Sequence, residues 1–197
     1  MKNKKRERAL ALACCAAMAA LMLLFTSQCS PLYPINLWGD ANCLFTVGRV
    51  MKDGGVLYRD IYEQKGPLLY LIHALAACLS DTRFWGVYIM EALAMTVALY
   101  AAYRLMRLRA GMGFSLGAAA FFGAAFASCT AFIRGDSAEE FCLPLLMAAL
   151  AIAYAEYGRR ANPRRMKRLL VCGVLAGCVA TIEFTLLGAV CGLVAGE

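Results

Sequence analysis

A single histidine occurs in the 197 residues. With no CxxC pair and no Cys/His cluster at zinc spacing, nothing points to a structural zinc module. There is no Walker motif, no nucleotide-binding fold signature and no Ser/His/Asp set, so neither nucleotide-driven nor serine-hydrolase chemistry is indicated. Acidic residues are few, thirteen against twenty Lys and Arg, for a net charge of +7. That balance could suggest nucleic acid, but the bases do not form a face interleaved with aromatics. They sit in short clusters between apolar segments, as cytoplasmic loops of membrane proteins do, and no nucleic-acid partner is expected.

What the chain has in abundance is apolar sequence. Hydrophobic residues make up 62% of it, and the mean hydropathy is +0.63. Both values exceed what soluble domains usually show and suit a polytopic membrane protein. Most of the ten cysteines (Cys14, Cys15, Cys78, Cys129, Cys142, Cys172, Cys178, Cys191) lie inside apolar runs, where cysteine behaves as a small hydrophobe. Only Cys29 and Cys43 fall in polar sequence, which leaves a disulfide between them as an open alternative.

The first apolar run, Ala9–Thr26, follows a basic start and is about long enough to cross a bilayer. A cleaved leader fits such a start too, but neither an A-x-A-like site nor a lipoprotein site follows, so a retained helix is expected. The remaining runs are Pro67–Ser80, Phe84–Tyr103, Met112–Ile133, Phe141–Tyr157 and Leu169–Ala195. As a helix, Pro67–Ser80 reaches about 21 Å, short of the roughly 30 Å hydrocarbon core. Charge parity agrees that it lies in the interface. Only then do Lys2/Lys4/Lys5/Arg6/Arg8, Arg104/Arg107/Arg109 and Arg159/Arg160/Arg164/Arg165/Lys167/Arg168 all face the cytoplasm.

The expected architecture is therefore all-α, a polytopic membrane helix bundle of about five transmembrane helices in the cell membrane with a cytoplasmic N-terminus. Residues 28–83 form a long first external loop with juxtamembrane helices, and residues 134–140 form a second, with no separate soluble domain. In the first loop, Leu44, Val47, Val50 and Met51 keep helical spacing, Gly54-Gly55 supplies a stop, and Asp40 stands at the N-cap. Pro67 suits the first turn of the interfacial helix.

On this parity Asp40, Asp53, Asp60, Glu63, Asp81, Asp136, Glu139 and Glu140 share the outer side. An isolated charge there is usually only solvated. Here Lys65 is held at the edge of an apolar run, where it can snorkel to a lipid phosphate, with Arg59, Asp60 and Glu63 beside it. A cation opposite convergent carboxylates suits transfer from a lipid-phosphate donor. The cation stabilises the leaving phosphate, and a carboxylate takes the acceptor's proton.

The order "GDANCLFTVGRVMKDGGVLYRDIYEQKGPLLYLIHAL" resembles the first external loop of GT-C glycosyltransferases, nearest to glycosyltransferase family 39 and the lipid A aminoarabinose transferases. The likeness runs from about Leu37 to Gly192 and is most specific in that loop. It implies that Asp40 is the catalytic base and Lys65 the donor-phosphate contact. Glu139 or Glu140 corresponds to the acidic residue of the second external loop. It also implies a polyprenyl-phosphate-linked sugar as donor, inversion at the transferred sugar, and an acceptor that is a protein, lipid A or a cell-wall polymer.

Two positions depart from the family. Gln64 stands where some relatives have a metal-binding Glu, and an amide binds a divalent cation more weakly, so metal dependence is in doubt. Glu183, in "CVATIEFTLLG", stands where relatives often have lysine; it is either a site residue or a tolerated change. Glu91 poses a milder version of this, facing a polar seam, while His73 is read as packing. Members of the family are longer, so this chain is expected to be an N-terminal part, inactive alone. The rival reading is a non-catalytic integral membrane protein, a carrier subunit or lipid-handling accessory, although no internal repeat supports a carrier.

Overall fold

The computed structural model describes residues 2–132, 134–156, 165–188 and 192. These form seven α-helices and one 3₁₀ turn, with no strand among the described residues. In chain order they are α1 (Lys2–Thr26), α2 (Gly39–Lys52), α3 (Pro67–Leu79), α4 (Trp85–Met106), α5 (Met112–Ala127), α6 (Ala138–Glu156) and α7 (Arg165–Ala180), the turn spanning Phe184–Leu186. Arg159, Arg160, Arg164 and Cys191 lie outside the described residues.

Helices α1 and α4 pack antiparallel along a seam of small side chains. Ala11, Cys15, Ala19 and Leu23 recur every fourth residue on α1 and are fully buried against Met95 and Leu99 of α4 and Ala119 of α5. Polar contacts mark both ends of this pair. At one end Arg107 donates to Glu7 at 2.7 Å; at the other Ser27 Oγ donates to Glu91 at 2.8 and 3.0 Å. The start of α7 lies at the Arg107 end, because Arg168 lines a groove with Arg104 and Leu108. The described members of the three basic clusters thus gather at one end of the molecule.

Helix α3 lies across the opposite end. Its first turn meets the C-terminus of α7, where Leu68 N–H donates to the Thr181 carbonyl at 3.0 Å and Gly66 N–H to Ile182 at 3.1 Å. Its middle meets the α5–α6 loop through His73 and Asp136, 2.7 Å apart. Its last turn packs the Ala76 carbonyl on Gly86 at the start of α4. Three helix ends lie along thirteen residues of α3, so it runs over the bundle and not along it. Helix α2 packs on α3, and Arg49 and Lys52 at its end pair with Asp81 just beyond α3, at 3.3 and 2.9 Å. The stop at Gly54 is as expected, with φ at 92° and its N–H on the Met51 carbonyl.

Several expectations need correction. Trp38, not Asp40, is the N-cap of α2, and Asp40 lies in the first turn. Leu44 and Val47 are buried as the spacing predicts, but Phe45 and Gly48 complete that face, while Val50 and Met51 are only half-buried. Apart from these corrections, two helices among the described residues are long and apolar enough to span a membrane, Lys4–Thr26 and Trp85–Met106, where about five crossings are expected. Helix α5 stops at Ala127, where a run of turns begins with Ser128, Cys129 and Thr130. Helix α7 stops at Ala180: the Thr181 and Ile182 carbonyls accept the Leu68 and Gly66 N–H groups at the start of α3, although the Thr181 amide still bonds back to Gly177.

Candidate functional site

A cleft of about 180 Å³ opens at the α3 end of the molecule, lined by Trp38, Asp40, Cys43 and Leu44, by Glu63, Gln64 and Lys65, and by Asp136, Ala138 and Glu139. Each chain segment reaches it for a local reason. Asp40 rides on the first turn of α2, where the positive helix end favours a carboxylate. Glu63–Lys65 precede Pro67 at the start of α3, the helix position proline fits best. Asp136 and Glu139 come from the turn into α6, where Ser137 Oγ accepts the Glu140 N–H at 3.1 Å and so caps the helix.

The Glu63–Lys65 segment is tied down on both sides. Lys65 N–H donates to the Tyr70 hydroxyl at 2.8 Å, that hydroxyl donates to the Glu63 carboxylate, and the Tyr58 hydroxyl donates to the Lys65 carbonyl at 2.8 Å. Burial pushes the Glu63 carboxyl up, but the bonds from Tyr70 and from the Gln64 and Lys65 amides outweigh it and leave Glu63 below the usual glutamate range. Burial pushes the Tyr70 phenol up, and the adjoining Glu63 carboxylate adds to the shift.

Lys65 does not stand alone. Its ammonium pairs with Glu183, which follows the end of α7 in extended backbone, and Thr185 Oγ1 donates to the other Glu183 oxygen at 3.0 Å. Burial alone would lower the Lys65 ammonium, yet Glu183 holds it above the usual lysine value. Glu183 is therefore no carboxylate stranded mid-helix. The chain leaves α7 before reaching it, and the carboxylate lies beside the one lysine of the cleft. Gly66 makes this approach achievable, since a Cβ there would collide with the Thr181 carbonyl.

Behind the cleft lies a buried polar cluster from four elements. His73 Nδ1 is 2.8 Å from the Leu69 carbonyl, so Nδ1 carries a proton and Nε2 faces Asp136 Oδ1. The Asp136 amide donates to Glu91 at 2.7 Å and to Glu140 at 3.1 Å. His73, Glu91 and Asp136 are fully buried, and Glu140 is nearly so. Asp136 Oδ2 and Glu140 Oε1 have no hydrogen-bond partner among the described residues. Asp136 holds a left-handed φ of 59°, and Gly135 before it has φ 87° and no room for a Cβ, which would collide with Ser27 and Glu91. Burial works against a charged imidazole, but the Asp136 carboxylate overrides it and holds His73 above the ordinary histidine value.

Of the residues singled out in the sequence, Asp40, Glu63, Lys65, Asp136 and Glu139 come together at the cleft. Glu140 turns inward to the buried cluster. Arg59 and Asp60 pair with each other on the exposed loop, where Asp60 also accepts the Val56 N–H at 2.8 Å. No three His, Cys, Asp or Glu groups converge as a metal-ligand set among the described residues, and Glu63 is already engaged by Tyr70. The donors described here do not fit a divalent cation. Cys29 and Cys43 are free thiols; the Cys29 sulfur accepts a bond from Asn36 at 3.3 Å, and Cys43 is exposed.

The bond from His73 to Asp136 departs from the expectation that His73 only packs. A signal for Glu140 was present, because Ser137-x-x-Glu140 has the capping-box spacing that folds a glutamate back over its own helix start. Compared with family models, with curated proteins and with solved structures, the chain matches none of them.

Proposed function

We propose that this chain is the cleft-bearing part of a membrane glycosyltransferase that moves a sugar from a polyprenyl-phosphate donor to an acceptor hydroxyl on the side opposite the basic helix ends. One observation carries the reading: Asp40, Glu63, Lys65, Asp136 and Glu139, from two distant loops, line a single cleft at the end where α3 lies across the bundle. In a membrane, α1 and α4 span and α5, α6 and α7 cross beside them. Helix α3 then lies at the interface, at the depth where a lipid phosphate enters. The basic ends set the cytoplasmic side and leave the cleft extracytoplasmic.

The chemistry follows from the charges. Asp40 takes the proton of the acceptor hydroxyl as its oxygen attacks the anomeric carbon. The new C–O bond forms on the face opposite the bond to phosphate. That bond breaks with its electron pair staying on the phosphate oxygen, and Lys65 neutralises the added charge. The attack inverts the anomeric centre.

The pairing of Lys65 with Glu183 favours a second reading, a non-catalytic lipid-handling membrane protein in which this bond is structural. Membranes carrying the protein, supplied with a labelled undecaprenyl-phosphate sugar, separate the two. Transfer that falls about 10²-fold or more in Asp40→Asn, with protein level unchanged, supports the enzyme. No binding of the labelled donor by the wild type, or transfer that the variant leaves equal, overturns it.

A further inference from the structure

The cleft is smaller than the reaction proposed for it. At about 180 Å³ it falls below the roughly 300–1,000 Å³ of ordinary small-molecule sites, too little for a donor sugar, its phosphate and an acceptor together. A second cavity of about 280 Å³ adjoins it, and Cys43 and Glu63 line both. Asn42, Cys43 and Thr46 of α2 line this groove from one side, and Ile61, Tyr62 and Glu63 of the loop before α3 line it from the other. Cys43 lies three residues beyond Asp40 on the same helix face, a rise of about 4.5 Å. The groove therefore opens next to the carboxylate assigned as the base.

Its two walls differ in chemistry. On the loop, the Tyr62 ring is 78% exposed, yet its backbone is tied. Tyr58 N–H donates to the Ile61 carbonyl and Val56 N–H to Asp60, both at 2.8 Å, and Tyr58 holds a left-handed φ of 65°. Tyr62 is thus a flat aromatic face on a fixed loop. On α2, Asn42 Nδ2 donates to the Asn36 and Trp38 carbonyls at 3.0 and 2.7 Å, and Thr46 Oγ1 donates to the Asn42 carbonyl at 2.7 Å. Asn42 Oδ1 and Thr46 Oγ1 accept no bond among the described residues, so this wall suits a donor. The one charged group, Glu63, already accepts from Tyr70 and from the Lys65 amide. No lysine or arginine lines the groove among the described residues.

We propose that the groove is the acceptor subsite of the cleft and takes an uncharged saccharide, one ring stacked on Tyr62 with its hydroxyl edge on Asn42 and Thr46. The proposal rests on the transfer reading above and names the acceptor for it. A pyranose is divided as the groove is. Its axial C–H groups carry partial positive charge and suit the negative face of the tyrosine ring, while its hydroxyls donate to the two open oxygens. A hydroxyl near Cys43 then lies beside Asp40. Other occupants match less well. An acyl chain would bury both oxygens without a donor, which is unfavourable. A phosphate or carboxylate would meet Glu63 and no cation. A serine or threonine side chain is too small to cover the Tyr62 ring.

The test is protection of Cys43, an exposed free thiol where the two cavities meet. The full chain is alkylated with iodoacetamide in lauryldimethylamine oxide micelles, which carry no sugar headgroup, and read peptide by peptide by mass spectrometry. Methyl glycosides of glucose, galactose, mannose and N-acetylglucosamine are compared at equal concentration with methyl glucuronide and a blocked serine tripeptide. At least one neutral glycoside should slow alkylation of Cys43 and leave the exposed Cys129 unaffected. The glucuronide and the peptide should not slow it. Tyr62→Ala should raise the half-protecting concentration about tenfold, the scale of one lost aromatic contact, and Tyr62→Phe should leave it near wild type. Both substitutions change an exposed ring and leave the packed core alone. No protection by any glycoside, equal protection by the glucuronide or the peptide, or an unchanged Tyr62→Ala overturns the proposal. Failure of the transfer reading is a different result, in which the labelled donor does not bind while the glycoside still shields Cys43.

Discussion

Lys65 and Glu183 form an ion pair across 118 residues of sequence, and the pair joins the first loop to the end of α7 at the wall of the cleft. On the proposed reading a lipid phosphate would have to displace Glu183 from Lys65. Glu183→Gln should therefore raise the affinity for undecaprenyl phosphate several-fold while costing about 1–2 kcal/mol of stability, a figure kept small because Lys65 remains partly exposed. Affinity measured by tryptophan quenching in detergent checks the first part. Unchanged affinity would mean that the phosphate does not contact Lys65.

The same pair fixes a pH window. Burial pushes the Glu183 carboxyl up, but the Lys65 and Thr185 bonds more than offset it, leaving it below the ordinary glutamate value. A depressed carboxyl contributes stability that is present above about pH 4.5 and lost as pH falls through the folded value. Lys65 is shifted the other way, so its contribution lasts up to the ordinary lysine range and fails only above it. Thermal unfolding should show wild type and Glu183→Gln converging below about pH 4 and separating above pH 5. Parallel curves throughout would refute the coupling.

His73 gives the opposite sign. Its folded value is raised, with Asp136 the cause and Glu91 adding to it, and Glu140 faces the same amide from α6. Its stabilisation is complete below about pH 6.5 and is lost as pH rises through the folded value. The wild-type unfolding midpoint should fall on the alkaline side, and His73→Gln should make that slope shallower. Breaking the pair with His73→Leu leaves a buried carboxylate alone and should cost about 3–5 kcal/mol. A flat wild-type profile from pH 6 to 10, or a His73→Leu loss under about 1 kcal/mol, would show that the contact is not an ion pair.

These contacts divide what could be read from the chain. Pro67 and the short apolar run after it were enough to set α3 apart from the two helices long enough to span a membrane, because length is a local property. The meeting of Asp40 with Lys65 and Asp136 followed from placing their loops on one side. The Lys65–Glu183 bond was not legible, since "CVATIEFTLL" contains no glycine or proline to announce the end of α7. The helix ends there through backbone bonds to a segment more than a hundred residues earlier. Nor could His73 be assigned, because a buried histidine and a packing histidine look alike until the partner carboxylate is placed.

Gly66 tests whether α7 needs that docking. A Cβ at this position meets the Thr181 carbonyl and carbon, which are backbone atoms and cannot rotate away. Gly66→Ala should therefore separate the two segments, break the Gly66–Ile182 and Leu68–Thr181 bonds, and cost about 1–3 kcal/mol. Limited proteolysis should cut Gly66→Ala faster near Ile182 than wild type. Gly39→Ala has open space around its Cβ and serves as the control that should not change the pattern.

Sidedness underlies the whole proposal and can be probed directly. Tyr62 is 78% exposed on the loop beside the cleft, and Leu108 is 47% exposed at the basic ends. Arg107 bonded to Glu7 places Leu108 with the N-terminal cluster, whereas the tie from Tyr58 to Lys65 places Tyr62 with the cleft. Short basic loops stay in the cytoplasm because moving their charges across the bilayer is costly. In intact cells an impermeant maleimide should therefore modify Tyr62→Cys and spare Leu108→Cys until the membrane is opened, with the native cysteines replaced by serine or alanine. The reverse pattern would turn the cleft towards the cytoplasm, away from any donor presented outside.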